Sequence, residues 1–282
     1  MPGPKPASGL RALLIIAIVA VILALGYYGY SVRLPPAERM SAAQVLPEPP
    51  PAPAEPQYPV PPPAAVDSPT LPALPALYES DADLLAALAL LLEDDSLLAL
   101  LVREHLIERF VASVDNLPNR RITANILPMR PLSGSLVVQD SEQGMILSAQ
   151  NSERYRAPVK ALTSLDPTAL VHLYQRWYPL FQQAYRELGY PDGYFNDRLI
   201  EVIDHLLAAP EPDAAIALLE VNGRFQFADP AFESASIGHK ALLRLGVASA
   251  AEVKAWLGGI KALLVALPGT AQAGSVEAAV IP

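Results

Sequence analysis

From Leu170 onward, apolar residues recur in steps of three and four: Leu170, Leu173, Tyr174, Trp177, Phe181, Ala184 and Leu188. This is the spacing of one face of an α-helix. Asp166-Pro167 supplies its start, since a carboxylate takes an orphan amide at the N-cap and proline has no amide to orphan at the next position. Pro179 lies inside the pattern, so the helix kinks there or divides in two. After the turn Gly189 to Gly193, a second stripe (Phe195, Leu199, Val202, Ile203, Leu206) runs until Pro210 and Pro212 stop it. Upstream, Ser80 with Asp83 reads as a capping box opening a helix from Asp81 to Leu92. The pattern resumes from Ser96 through Val114 and ends at Asn116-Leu117-Pro118-Asn119.

The period changes in two places. Leu136 to Gln139 and Met145 to Ala149 flank a polar turn, and Ile216 to Val221 and Arg224 to Ala228 flank Asn222-Gly223. Asn-Gly suits a type I′ turn, so both pairs are expected to be small β-hairpins. Two closing helices follow Pro230 and the Ser249-x-x-Glu252 capping box. The expected fold is mainly α, an α-rich α+β domain over residues 74–267 with two small hairpins. Residues 268–282 read as a disordered tail.

The N-terminal part is built differently. Residues 12–32 carry no charge and are bounded by Arg11 and Arg33; Ala12, Leu13, Leu14, Ile15, Ile16, Val21 and Leu25 belong to a continuous apolar run. As a helix this stretch spans about 30 Å, the hydrocarbon thickness of a bilayer. Tyr27, Tyr28 and Tyr30 cluster at its far end, where amphipathic rings favour the headgroup boundary. The reading is a single transmembrane helix after a leader of residues 1–11. A cleaved secretory signal and a buried soluble helix are the two competing readings. Basic residues flank both ends, and the charge bias favours a cytoplasmic N-terminus.

Residues 33–73 form a Pro-rich spacer. Of the 30 prolines in the chain, 15 fall between 35 and 75, with few amide donors and little apolar surface to build a core. In polyproline II geometry such a stretch reaches at most roughly 125 Å.

Charge and composition narrow the chemistry. The chain of 282 residues is 52% hydrophobic and 17% charged, with no cysteine. Lys5, Arg11 and Arg33 are the only charges up to residue 33, which leaves 17 basic against 29 acidic side chains beyond it, a formal −12. Such a surface repels phosphates, so no nucleic-acid partner is expected. The absence of cysteine removes disulfides, thiolate metal sites and cysteine nucleophiles. There is no Gly-x-Ser-x-Gly elbow, P-loop or Gly-x-Gly-x-x-Gly fingerprint, and no cofactor is expected.

The stretch from Tyr174 through Tyr178-Pro179 to Pro191, continued from Tyr194 to His205, resembles a bacterial envelope family, domain of unknown function three thousand and fourteen. Phe110 to Pro118, Phe227 to Pro230 and Gly238 to Gly246 carry further matching motifs. The resemblance covers about Leu74 to Leu264. It implies an N-terminal anchor, a Pro-rich spacer and this domain, and brings no activity or catalytic residues. The implied location is the bacterial inner membrane, with the N-terminus cytoplasmic and the C-terminal domain periplasmic.

Two constellations stand out. Residues 174–195 hold eight of the 19 aromatics, and Tyr178 and Tyr185 lie off the helical stripe while Tyr190 and Tyr194 flank the turn. With Arg186, Asp197, Arg198 and Glu201 nearby, they make a candidate partner-binding surface, because aromatics and arginine anchor interfaces. An ordinary core with buried tyrosine hydroxyls is the plain alternative. Glu201, Asp204 and His205 share a helix face at i, i+3 and i+4, a spacing able to ligate a metal or pass a proton, or simply a polar face. His172, Gln175, Gln182 and Arg186 read as the polar side of their helix. Arg120, Arg121 and Arg130 form a basic cluster in a loop.

The expectation is therefore a tethered, non-enzymatic interaction or scaffold module whose partner is an envelope protein or the cell wall, with self-association into a homo-oligomer left open. The alternative is an envelope enzyme acting on the cell wall or a small molecule through Glu201, Asp204 and His205.

Overall fold

The structure, a computed structural model, describes residues 55–61, 73–89, 96–130, 136–142 and 144–267. The expected anchor at 12–32, the leader, most of the spacer and the tail at 268–282 lie outside the described residues. Among the described residues, no helix is long and apolar enough to cross a membrane.

Nine α-helices and two antiparallel hairpins are present among the described residues. The helices are α1 (Asp81–Ala89), α2 (Ser96–Leu100), α3 (Leu106–Asn116), α4 (Gln150–Thr163), α5 (Pro167–Glu187), α6 (Phe195–Leu207), α7 (Pro230–Ser234), α8 (Ile237–Leu245) and α9 (Val247–Val265). The strands are β1 (Val138–Ser141), β2 (Gly144–Leu147), β3 (Leu218–Val221) and β4 (Arg224–Phe227).

The centre is α5, about 30 Å long at 1.5 Å per residue. Its start is as the sequence predicts: the Asp166 carboxylate accepts the N–H groups of Thr168 and Ala169 at 3.1 and 3.2 Å. It runs unbroken through Pro179, which is exposed, so the ring occupies the solvent side and not the packed face. Around it lie α3, α6 and α9. Phe110 of α3, Tyr174 and Phe181 of α5 and Phe195 of α6 form one aromatic cluster, with ring centroids 5.5 to 6.4 Å apart. Trp256 of α9 joins this core and donates its Nε1 hydrogen to the Leu165 carbonyl at 3.0 Å.

Several boundaries depart from expectation. The long pattern from Ser96 to Val114 is two helices, because Asp81 of α1 accepts the N–H groups of His105 and Leu106 at 2.8 and 2.9 Å and starts α3 there. Ser80 gives its hydroxyl hydrogen to the Leu77 carbonyl. The Ser249-x-x-Glu252 box is not the start of the last helix. Gly246, at φ 79°, breaks the chain between α8 and α9, and Ser249 falls inside the first turn. Side-chain caps serve the two helices before α9: the Ser236 oxygen accepts the His239 N–H at 3.1 Å at the start of α8, and the Asp229 carboxylate accepts the Ala231 N–H at 2.8 Å at the start of α7. Helix α4 has no counterpart in the sequence reading, since Pro158 and its many charges hide the buried stripe Asn151, Tyr155, Val159 and Leu162.

Both hairpins form. Asn222 (φ 53°) and Gly223 (φ 73°) take the left-handed pair of conformations that a type I′ turn requires. The first strand begins later than predicted, because both backbone polar groups of Val137 bond to the Asn151 side chain. The Leu147 amide reaches the Ile216 carbonyl at 2.8 Å and joins the two hairpins. Ile216, Leu218, Phe227 and Leu243 make a second, smaller core beneath them. An open apolar cleft of about 240 Å³ lies alongside, lined among others by Ser152, Pro210, Ile216, Leu243 and Val247.

Candidate functional site

The residues expected to form one aromatic surface divide into two clusters that meet at Gly193, in the turn between α5 and α6.

The first cluster is organised by Asp115, at the C-terminal end of α3. Its Oδ1 accepts from Arg198 Nε at 2.9 Å, its backbone carbonyl accepts from Arg198 Nη2 at 2.9 Å, and its Oδ2 accepts the Tyr190 hydroxyl hydrogen at 3.0 Å. Arg198 also pairs with Glu201 through Nη1 at 2.9 Å. Burial works against the Arg198 charge, yet Glu201 and Asp115 together more than offset it and raise its pKa above the ordinary value. Hydrogen bonding to Asp115 raises the Tyr190 hydroxyl pKa.

Tyr190 is 41% exposed, whereas Tyr185 beneath it is buried at 6%. The expectation that Tyr185 stands off the core is corrected here: its ring packs on Phe195 at 5.6 Å and is covered by Tyr190. Burial pushes its hydroxyl up to about 12. Gly193 allows this arrangement, because a Cβ there meets Tyr185 Cε1 at 2.9 Å and Tyr190 Cβ at 3.2 Å.

The second cluster centres on Gln182. Its Oε1 accepts from the Tyr178 hydroxyl and from the Phe195 N–H, both at 2.9 Å, and its Nε2 donates to the Gly193 carbonyl at 2.7 Å. One buried amide therefore fixes the end of the turn and the first residue of α6. Gln175 and Gln182 are buried, a correction to their placement on a polar face; His172 and Arg186 are exposed as that reading requires. Tyr178 is half-buried, and burial pushes its hydroxyl up to about 12 despite a hydrogen bond from the Asn196 backbone. Tyr194 is half-buried and precedes α6 without capping it through its side chain.

Asp197 faces neither Arg198 nor Glu201. Its carboxylate receives the backbone N–H groups of Gln57 and Tyr58 at 2.9 and 2.8 Å, and the neighbouring Asn196 Nδ2 donates to the Tyr58 carbonyl at 2.8 Å. Part of the Pro-rich stretch thus lies against the domain, with Tyr58 and Val60 packed on the main core.

Glu201, Asp204 and His205 are drawn apart to different partners. Glu201 pairs with Arg198 and Asp204 with Lys261 of α9. His205 meets Ser236 Oγ through Nε2 at 2.7 Å and stacks on His239 with centroids 4.1 Å apart. Among the described residues, no group of three potential ligands is placed to hold a metal ion. In the basic loop cluster, Arg120 donates to the Ser234 carbonyl at 2.9 Å.

Asp115 and Gln182 were missed as organisers. Asp115 carried a usable signal: it falls on the apolar face of Ile107 and Val111 at i+4 spacing, where a charge requires a partner.

No curated protein and no solved structure matches the chain. A family described as "Protein of unknown function (DUF3014)" matches residues 106–261, more than half of the chain, from the start of α3 into α9 and so across both clusters. The chain belongs to that family.

Proposed function

We propose that this protein is a single-pass membrane protein of the cell envelope whose helical domain binds another envelope component through the face around Tyr190. The uncharged stretch 12–32 and the Pro-rich stretch after it support the tethered arrangement, with the domain periplasmic.

The observation that carries the reading is the state of Tyr190. An exposed aromatic ring is held flat on Tyr185, and its hydroxyl is fixed by the carboxylate that also orients Arg198. A tyrosine already ordered in this way loses little conformational entropy on binding, and tyrosine with arginine is the usual composition of an interface anchor. Exposed Glu201, paired with Arg198, adds a negative charge to this face. Tethering raises the effective concentration of such a surface near a partner in the same membrane or the adjacent wall.

The test is cross-linking in living cells and affinity recovery of the full-length chain, beside Tyr190→Ala and Arg198→Ala variants whose folding is checked by thermal melting. One specific envelope partner, recovered with the natural chain and lost with a folded variant, is the expected result. Recovery of the chain alone, or of the same partner from both variants, overturns the reading.

A further inference from the structure

Pro56 and Pro59 have no N–H, so Gln57 and Tyr58 hold the only backbone donors from 56 to 59. Both go to one carboxylate, Asp197, at 2.9 and 2.8 Å. The Tyr58 carbonyl is taken by Asn196 Nδ2 at 2.8 Å. Two adjacent side chains in the first turn of α6 therefore read three backbone groups of the segment, two donors and one acceptor.

The segment suits this reading. Each proline fixes its own φ and pushes the residue before it towards extended geometry, so little order is lost on docking. Asn196 is fully buried, and its Oδ1 has no hydrogen-bond partner among the described residues. A buried acceptor left unmatched is costly, and the Nδ2 bond to Tyr58 is what the side chain gains at this position.

We propose that Asn196 and Asp197 form a peptide-binding site for an extended Pro-x-aromatic-Pro segment, filled at rest by residues 56–59 and open to the same kind of segment from another chain. Three hydrogen bonds and two half-buried side chains, Tyr58 and Val60, make a weak contact by themselves. Residence of the chain's own segment follows from its covalent attachment, which supplies a high local concentration. A segment offered at comparable concentration from elsewhere competes for the same carboxylate.

The experiment uses the full chain labelled with nitrogen-15 on asparagine, which places a probe at the Asn196 side-chain amide. The site is emptied by Gln57→Pro with Tyr58→Pro, which removes both donors while keeping the segment extended, and separately by deletion of residues 56–59. A synthetic peptide of residues 54–62 is then added up to about 10 mM, the range of a tethered segment's own effective concentration. The Asn196 signal of an emptied chain is expected to move saturably towards its position in the natural chain. Adding Asp197→Ala is expected to weaken that binding at least about tenfold, because charge-assisted hydrogen bonds are lost.

No movement in the emptied chains, equal binding by the natural chain, or binding indifferent to Asp197 overturns the proposal. The Asn151 and Asn222 signals, from residues on other elements, report folding. If both emptied chains unfold, the segment is part of the fold and the proposal also fails.

Discussion

Arg198 and Asp115, 83 positions apart in sequence, meet through two hydrogen bonds of 2.9 Å, one to the carboxylate and one to the backbone carbonyl of the same residue. The contact ties the first turn of α6 to the last turn of α3, and the same carboxylate holds Tyr190.

Removing Arg198 leaves the Asp115 carboxylate buried without its counter-charge, and removing Asp115 leaves Arg198 with Glu201 alone. Asp115→Ala and Arg198→Ala are each expected to lower stability by about 2–4 kcal/mol, the cost of breaking a largely buried pair. The double variant is expected to lose less than the two single losses together. Urea unfolding of all four chains measures the coupling, and additive losses argue that the pair carries none.

Gln182 serves three partners with one side chain. Gln182→Leu keeps the volume but strands the Phe195 N–H and the Gly193 carbonyl, at about 1–3 kcal/mol for each buried group left unmatched. Raised amide hydrogen exchange at Gly193 to Phe195, ahead of α5 itself, is the expected signature. An unchanged exchange pattern speaks against the lock.

Gly238, in the first turn of α8, packs against Leu206 of α6 and Leu117, just past the end of α3. A Cβ there lies 2.5 Å from Leu206 Cδ2 and 3.3 Å from the Leu117 carbonyl oxygen. Gly238→Ala is therefore expected to cost about 1–3 kcal/mol, as overpacking does. Pairing it with Leu206→Ala tests the cause: the second change removes the clash, so the two losses come out less than additive in thermal melts.

His205, stacked on His239, is expected to make stability sensitive to mild acid. Burial lowers the His205 pKa, His239 and Arg198 lower it further, and Glu201 opposes them. The unfolded chain thus takes up this proton first as pH falls through about 6.5, the ordinary histidine value, and the folded state loses stability from there until His205 itself is charged. His205→Phe keeps a ring on His239 without the proton. The natural chain is expected to lose more stability between pH 7.5 and 5.0 than this variant, by chemical denaturation; equal losses exclude His205 as the cause.

The sequence was readable where the deciding interaction is local. Asp166-Pro167 caps the helix that contains it, and Asn222-Gly223 turns the strands on either side of it. Contacts across long separations were not readable. Helical spacing places Gln182 on a polar face, and only the folded turn shows that Gly193 and Phe195 need its amide. Tyr185 falls off the aliphatic stripe yet is buried, because Tyr190 returns over it from the next turn. Proline content marks residues 33–73 as spacer, and nothing in that content shows that Gln57 and Tyr58 find a carboxylate 140 and 139 positions away.

The docked segment also decides how the molecule bears load. Tension arriving from the N-terminal side meets the hydrogen bonds of Asp197 and Asn196 before it reaches any helix of the domain. Those bonds join a short strip of chain to one helix turn, so they are expected to yield at lower force than the packed core.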